Sequence, residues 1–172
     1  MRPEVEIQEM PESCPHCGRR VAEHEWHFRS IWPERVAQSL DRFDASSFWG
    51  NDELLQVPGL GSYVRMLVRV DLVGLPSMTY RVWLEVFPEE LERAWSVWET
   101  PAYQQLELRG ILANRLKGWP VEVLDQTVEA SVLSGEEIPV AKRSDNEPLG
   151  RILRERWEPA ELGICRFAKE GR

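Results

Sequence analysis

Lysine, histidine and cysteine are scarce in this chain of 172 residues, with three of each. Three cysteines cannot build a framework of paired bridges, so the fold has to rest on a hydrophobic core in a reducing compartment. Lys117, Lys142 and Lys169 are the only lysines, and 21 Lys+Arg against 29 Asp+Glu leave a net charge of -8. A surface that anionic is not built to neutralise phosphates, which excludes nucleic acid as the main partner. No window reaches the roughly 18 apolar residues of a membrane span, because Arg65, Arg69 and Asp71 interrupt the most hydrophobic stretch. The first dozen residues carry four Glu and one Arg without an apolar run, which predicts neither a signal nor a transit peptide and a cytoplasmic location. All three histidines lie between residues 16 and 27, so a Ser/His/Asp or Cys/His arrangement would have to draw its base from that segment. No Gly-x-Ser-x-Gly elbow occurs, and Gly59-Leu60-Gly61-Ser62 is too short for a phosphate loop and reads as a turn.

What is present suits one packed domain. Hydrophobic residues make up 42% of the chain and eight are Trp, enough to bury roughly two-thirds of the unfolded surface at this length. The expected organisation is a Cys/His segment over 1–30 followed by an α+β domain over 31–172. Pro33 suits the first position of a short helix ending near Leu40.

Val64, Met66, Val68, Val70 and Leu72 alternate with Arg65, Arg69 and Asp71, and Tyr80, Val82, Leu84 and Val86 alternate with Arg81, Trp83 and Glu85. Period two predicts half-buried strands near 63–72 and 79–86. A hairpin centred on Pro76 would set Asp71 opposite Arg81 and Arg69 opposite Trp83. Leu91, Ala94, Trp95 and Trp98 follow at helical spacing, predicting a helix near 88–99 that buries Leu91, Trp95 and Trp98. Val121 to Leu124 and Val128 to Leu133 alternate again. Leu149, Ile152, Leu153 and Trp157 mark a last helix, with Pro148 near its start. Strands with helices on one side give an antiparallel sheet packed by helices, class α+β. Of the tryptophans, Trp83 is the expected exposed or groove-lining ring, and an exposed aromatic pair anywhere would mark a protein interface.

The strongest local motif is Cys14-x2-Cys17-Gly18, followed by His24 and His27. Two thiolates on one such turn can reach a single ion while the glycine lets the backbone fold beneath it, so Cys14, Cys17, His24 and His27 are the expected tetrahedral zinc ligands. His16 or Cys165 could replace one histidine, and the fourth position stays open among them. A redox pair is disfavoured because no βαβ pattern surrounds the motif. Four protein ligands would make the metal structural. Three ligands and a water, with Glu23 or Glu25 as base, would make a hydrolase centred on Cys14, Cys17 and His24.

The order of motifs resembles a bacterial family known as domain of unknown function 2199. The similarity lies in Cys14-x2-Cys17-Gly18, in Tyr80-Arg81-Val82-Trp83-Leu84-Glu85-Val86 leading into a helix, in Gly110-Ile111-Leu112-Ala113-Asn114-Arg115-Leu116 with Gly118-Trp119-Pro120, and in Glu147-Pro148-Leu149. The family pattern has a His soon after the Cys pair and a late His-Pro-Leu, whereas here the next His after the pair is His24, and Glu147 stands at the late position. The resemblance implies a small bacterial cytosolic protein and brings no activity. Acidic charge, many Trp and no assembled catalytic set point to a module that docks another protein, of accessory or immunity type, with a structural zinc. The metal-dependent hydrolase is the alternative.

Overall fold

A computed structural model of the chain describes residues 27–75 and 77–162. In order these form β1 (His27–Arg29), α1 (Glu34–Ala37), β2 (Trp49–Gly50), β3 (Leu54–Val57), β4 (Gly61–Leu72), β5 (Met78–Val86), α2 (Pro88–Val97), β6 (Glu107–Leu112), β7 (Thr127–Ser131), β8 (Val140–Arg143), α3 (Glu147–Arg154) and β9 (Arg156–Trp157). Helices beside a strand-rich sheet make the class α+β.

The alternating segments become one long antiparallel ribbon, β4 against β5, with Ser62 opposite Val86 at one end and Val70 opposite Met78 at the other. The residues expected inside are inside: Val64, Met66, Val68 and Val70 are fully buried from one strand, and Tyr80, Val82 and Leu84 from the other. The expected register is not the observed one. Arg81 lies opposite Leu67, Trp83 opposite Arg65, and Arg69 opposite Thr79. Gly74 takes φ 70 and turns the chain earlier than a turn centred on Pro76 would. The offset is even, so every side chain keeps its face while the cross-strand charge pairs change.

The ribbon is longer than its neighbours, and its two halves serve different strands. β3 pairs with the first residues of β4, while β8 meets β4 at Leu67 and β9 meets it at Asp71 and Leu72. On the other strand, β1 lies beside the beginning of β5 and β6 beside its end. β6, β7 and β8 then follow as antiparallel neighbours. The pairings β4–β5–β6–β7–β8–β4 close on themselves around a core in which Leu84, Leu112, Val128 and Ala130 meet. The sheet is therefore not purely antiparallel, since β1–β5, β4–β8 and β4–β9 are parallel. His27–Arg29, placed by the sequence in the Cys/His segment, is an edge strand of this sheet, and the Phe28 ring stacks on Tyr80 at 4.9 Å.

A second layer covers the opposite face of the ribbon. Trp83, only 2% exposed, packs with Tyr63, Val36, Leu55, Val57 and Ala113. Asn114, itself buried, fixes this layer: its Oδ1 accepts from Trp83 N and its Nδ2 donates to Trp32 O, both at 2.9 Å. The expectation of an exposed Trp83 is thus overturned. Periodicity within one strand reports only which residues share a face, and here both faces are covered. Arg65, expected on the wet side, is 1% exposed with its guanidinium 3.9 Å from the centre of the Trp83 ring. Its Nε donates to Asp52 O at 3.0 Å and its Nη1 to Ser30 O, which ties the incoming chain to the sheet. Burial, with Arg81 and Arg29 nearby, lowers its pKa to about 10.

Three further local expectations change. Residues 121–124 form no strand; Asp125 takes φ 65 and its N–H donates to Leu112 O, making a tight return into β7. Trp157 lies in β9, because α3 stops at Arg154. α3 begins at Glu147 with Pro148 in its first turn as expected, and the Asn146 side chain caps it by accepting from Leu149 N at 3.0 Å. In α2 the buried residues are Leu91 and Ala94, and Trp98 is half-buried, whereas Trp95 stands 53% exposed. A stripe at i, i+3, i+4 and i+7 is wider than the single sheet surface that this short helix covers, and Trp95 falls on its shoulder.

Candidate functional site

The residues with the clearest chemistry in the sequence, Cys14, His16, Cys17, Glu23, His24, Glu25 and Cys165, lie outside the described residues. His27 is described, exposed at the start of β1. Among the described residues no group of three or more His, Cys, Asp or Glu is placed to hold a metal ion.

The aromatic signal resolves into an exposed pair that the sequence did not single out. Trp49 on β2 is 42% exposed, and its ring meets Trp95 edge to face, centroids 4.9 Å apart at 71°. Each ring is held by its own element. β2 pairs with β3 so closely that a Cβ on Gly50 would lie 1.9 Å from Leu54 O, and Gly50 sits at φ 134, so only glycine serves there. The Asn51 side chain then accepts from Glu53 N at 2.8 Å and Leu54 N at 2.9 Å, fixing the turn into β3. Just past the end of α2, Trp98 anchors the helix by donating from Nε1 to Glu53 Oε2 at 2.8 Å and packing edge-on against Tyr103. Among the described residues β2 is the terminal strand of the sheet order, so Trp49 lies at its edge.

The charge around this pair is negative. α2 carries Glu89, Glu90 and Glu92, with Glu99 just beyond it, against the single basic residue Arg93. Arg93 bonds Glu90 at 2.7 Å and also donates to Glu107 O, so its charge is spent towards β6. Glu89, Glu92 and Glu99 are exposed and make no ion pair among the described residues.

Three other features bear on chemistry. A shallow cleft of about 230 Å³ is walled by Trp119, Pro120, Val121, Pro148, Ile152 and Trp157. Trp119 and Trp157 pack edge to face at 4.8 Å, and the buried Trp157 Nε1 has no hydrogen-bond partner among the described residues. Gly118-Trp119-Pro120 and Glu147-Pro148-Leu149, two of the segments behind the family resemblance, converge on this cleft. A larger open groove of about 740 Å³ runs between α2 and the strands β6 to β8. Its charges largely neutralise one another, with Arg109 on Asp145 at 3.2 Å and Arg143 on Glu129.

The last feature is a cluster of titratable groups. Tyr63 and Glu85 are cross-strand partners, and Arg35 reaches over them from α1, 3.9 Å from Glu85 and 3.4 Å from Asp125. Burial pushes the Tyr63 hydroxyl up to about 12 and raises Glu85 above its usual range, Arg35 opposing the latter shift. The Tyr63 Oη is buried without a hydrogen-bond partner among the described residues. A phenol, a carboxylate and a guanidinium together can hold and pass a proton. The space beside them is only about 10 Å³, room for about one water and no organic substrate. The cluster therefore reads as the seam that joins α1 to the sheet.

Comparison of the chain with protein-family models, with curated proteins and with solved structures finds no match.

Proposed function

We propose that this protein is a binding module, of accessory or immunity type, that docks another protein through Trp49 and Trp95. The observation that carries the reading is the exposed edge-to-face pair itself. Two large rings held half out of the surface on separate, well-anchored elements give up apolar contact with water only when a partner covers them, and aromatic anchors dominate such interfaces. Interior placement of Trp83 leaves this pair as the leading interface candidate. The Cys14, Cys17, His24 and His27 cluster enters the same proposal as a structural zinc knuckle, supported by ligand type and spacing. The alternative, hydrolysis at an open zinc with Glu23 or Glu25 as base, requires a water in place of the fourth protein ligand.

The test is capture from a lysate of the native host with tagged protein, comparing wild type with Trp49→Ala, Trp95→Ala and the control Phe87→Ala, another exposed aromatic. A defined partner retained by wild type and the control and lost by both Trp variants is the expected result. Equal capture by all four, or none by wild type, defeats the reading.

A further inference from the structure

We infer that the Trp49–Trp95 corner is a receptor for a cationic side chain, so that the partner docks an arginine-bearing segment there. The inference rests on the binding-module reading and adds the chemistry of what is bound. Its basis is the coincidence of an open π surface with uncompensated negative charge. In an edge-to-face pair the edge of one indole meets the face of the other, so part of the ring surface stays uncovered, and both rings are about half exposed. The face of an indole carries negative quadrupole charge and attracts cations more strongly than any other side-chain ring. Guanidinium is favoured over ammonium because it is planar, weakly hydrated and stacks flat.

Carboxylates supply the second half. Glu92 lies one helical turn before Trp95 on α2, and Glu99 follows the helix four residues after Trp95. Together with Glu89 they are exposed and make no ion pair among the described residues, while Arg93 is turned towards Glu90 and the Glu107 carbonyl. Asp52, three residues after Trp49 in the sequence, pairs at 3.6 Å with Arg29 and keeps its side chain 84% exposed. An acidic or neutral apolar partner would bring like charge to these carboxylates or strip their water without return. An arginine satisfies the ring and the carboxylates at once. The same chain makes this contact internally, where Arg65 stacks on Trp83 at 3.9 Å.

The experiment uses hexa-arginine peptide as probe, with hexaglycine and hexaglutamate as controls, read by the indole N–H resonances of Trp49 and Trp95 assigned through their Phe variants. Hexa-arginine should shift both resonances saturably. Trp95→Ala should weaken the affinity about fivefold or more, and Glu92→Gln about twofold. Raising salt from about 50 to 500 mM should weaken it further. Glu136→Gln with Glu158→Gln, which removes two exposed carboxylates on other elements, should leave it unchanged. The inference is overturned if neither resonance moves, if the other pair of substitutions weakens binding as much as Glu92→Gln, or if folded Trp95→Ala, checked by circular dichroism, binds like wild type. Should host-partner capture depend on both Trp while hexa-arginine ignores them, the module reading stands and only the cationic class falls.

Discussion

Replacing Trp83 by Ala tests the arrangement on which the second layer rests. The ring is 2% exposed. A buried tryptophan takes about 150–250 Å² out of water, and its loss costs about 3–5 kcal/mol once the cavity is included. Two specific contacts add to this. Trp83 Nε1 donates to Ile31 O at 3.2 Å, and leaving that carbonyl unpaired costs about 1 kcal/mol. Arg65 also loses the ring beneath its guanidinium, a contact worth about 2 kcal/mol when desolvated. Water admitted to the vacated space would rehydrate Arg65 and offset part of that, so the net loss is about 5 kcal/mol, comparable to the lower range of domain stabilities. Urea titration followed by far-UV circular dichroism is the assay, with Trp95→Ala beside it. That half-exposed ring should cost only about 1–2 kcal/mol, not the full core penalty that the helical stripe alone implies. A cycle of Arg65→Met, Trp83→Phe and the double variant isolates the stack, with an expected coupling of about 1 kcal/mol or more. Equal costs for Trp83→Ala and Trp95→Ala would refute the two-sided ribbon. Zero coupling would refute the Arg65 stack.

Gly110→Ala should be far costlier than Gly74→Ala. At Gly110 a Cβ would lie 2.0 Å from the Glu85 carbonyl oxygen, across the β5–β6 pairing, while at Gly74 it meets nothing within 4 Å and suffers only from φ 70. The expected losses are above about 2 kcal/mol against about 1 kcal/mol in thermal melts, and a reversed order would contradict the β5–β6 register. Glu85 holds its proton to higher pH in the folded chain than its usual 4.5 because it is buried. The folded state therefore binds more protons above that pH, and stability falls as pH rises through the window. Glu85→Gln should gain on wild type between pH 4.5 and neutrality, and Arg35→Met should steepen the fall; parallel urea midpoints for all three would show that Glu85 is not desolvated. Elemental analysis of protein purified without chelator should find one zinc per chain, lost in Cys14→Ser with Cys17→Ser, and a content below about 0.2 per chain would remove the knuckle.

Alternation of Val64 to Leu72 and of Tyr80 to Val86 was sufficient to place two strands and to sort their side chains by face, because period two is a local consequence of the pleat; the register between them, centred two residues before Pro76, was not legible in it. Pro88, Leu91 and Ala94, and likewise Pro148 and Leu149, marked helix starts and buried faces for the same reason: first-turn prolines and apolar stripes act within one or two turns. β3, β6 and β8 carried no comparable signal, being only 4, 6 and 4 residues long. Which strands neighbour one another, and hence that β4 to β8 close on themselves, depends on contacts between distant residues that no local pattern encodes. The same holds for the tryptophans. Trp83 and Trp95 differ little in sequence setting, one opposite an apolar strand face and one on an apolar stripe, yet the first is sealed by Val36, Leu55 and Ala113 and the second meets solvent and Trp49. Burial is decided by what arrives from elsewhere in the chain to cover a face, so the periodicity set the faces and the tertiary packing chose which of them remained open.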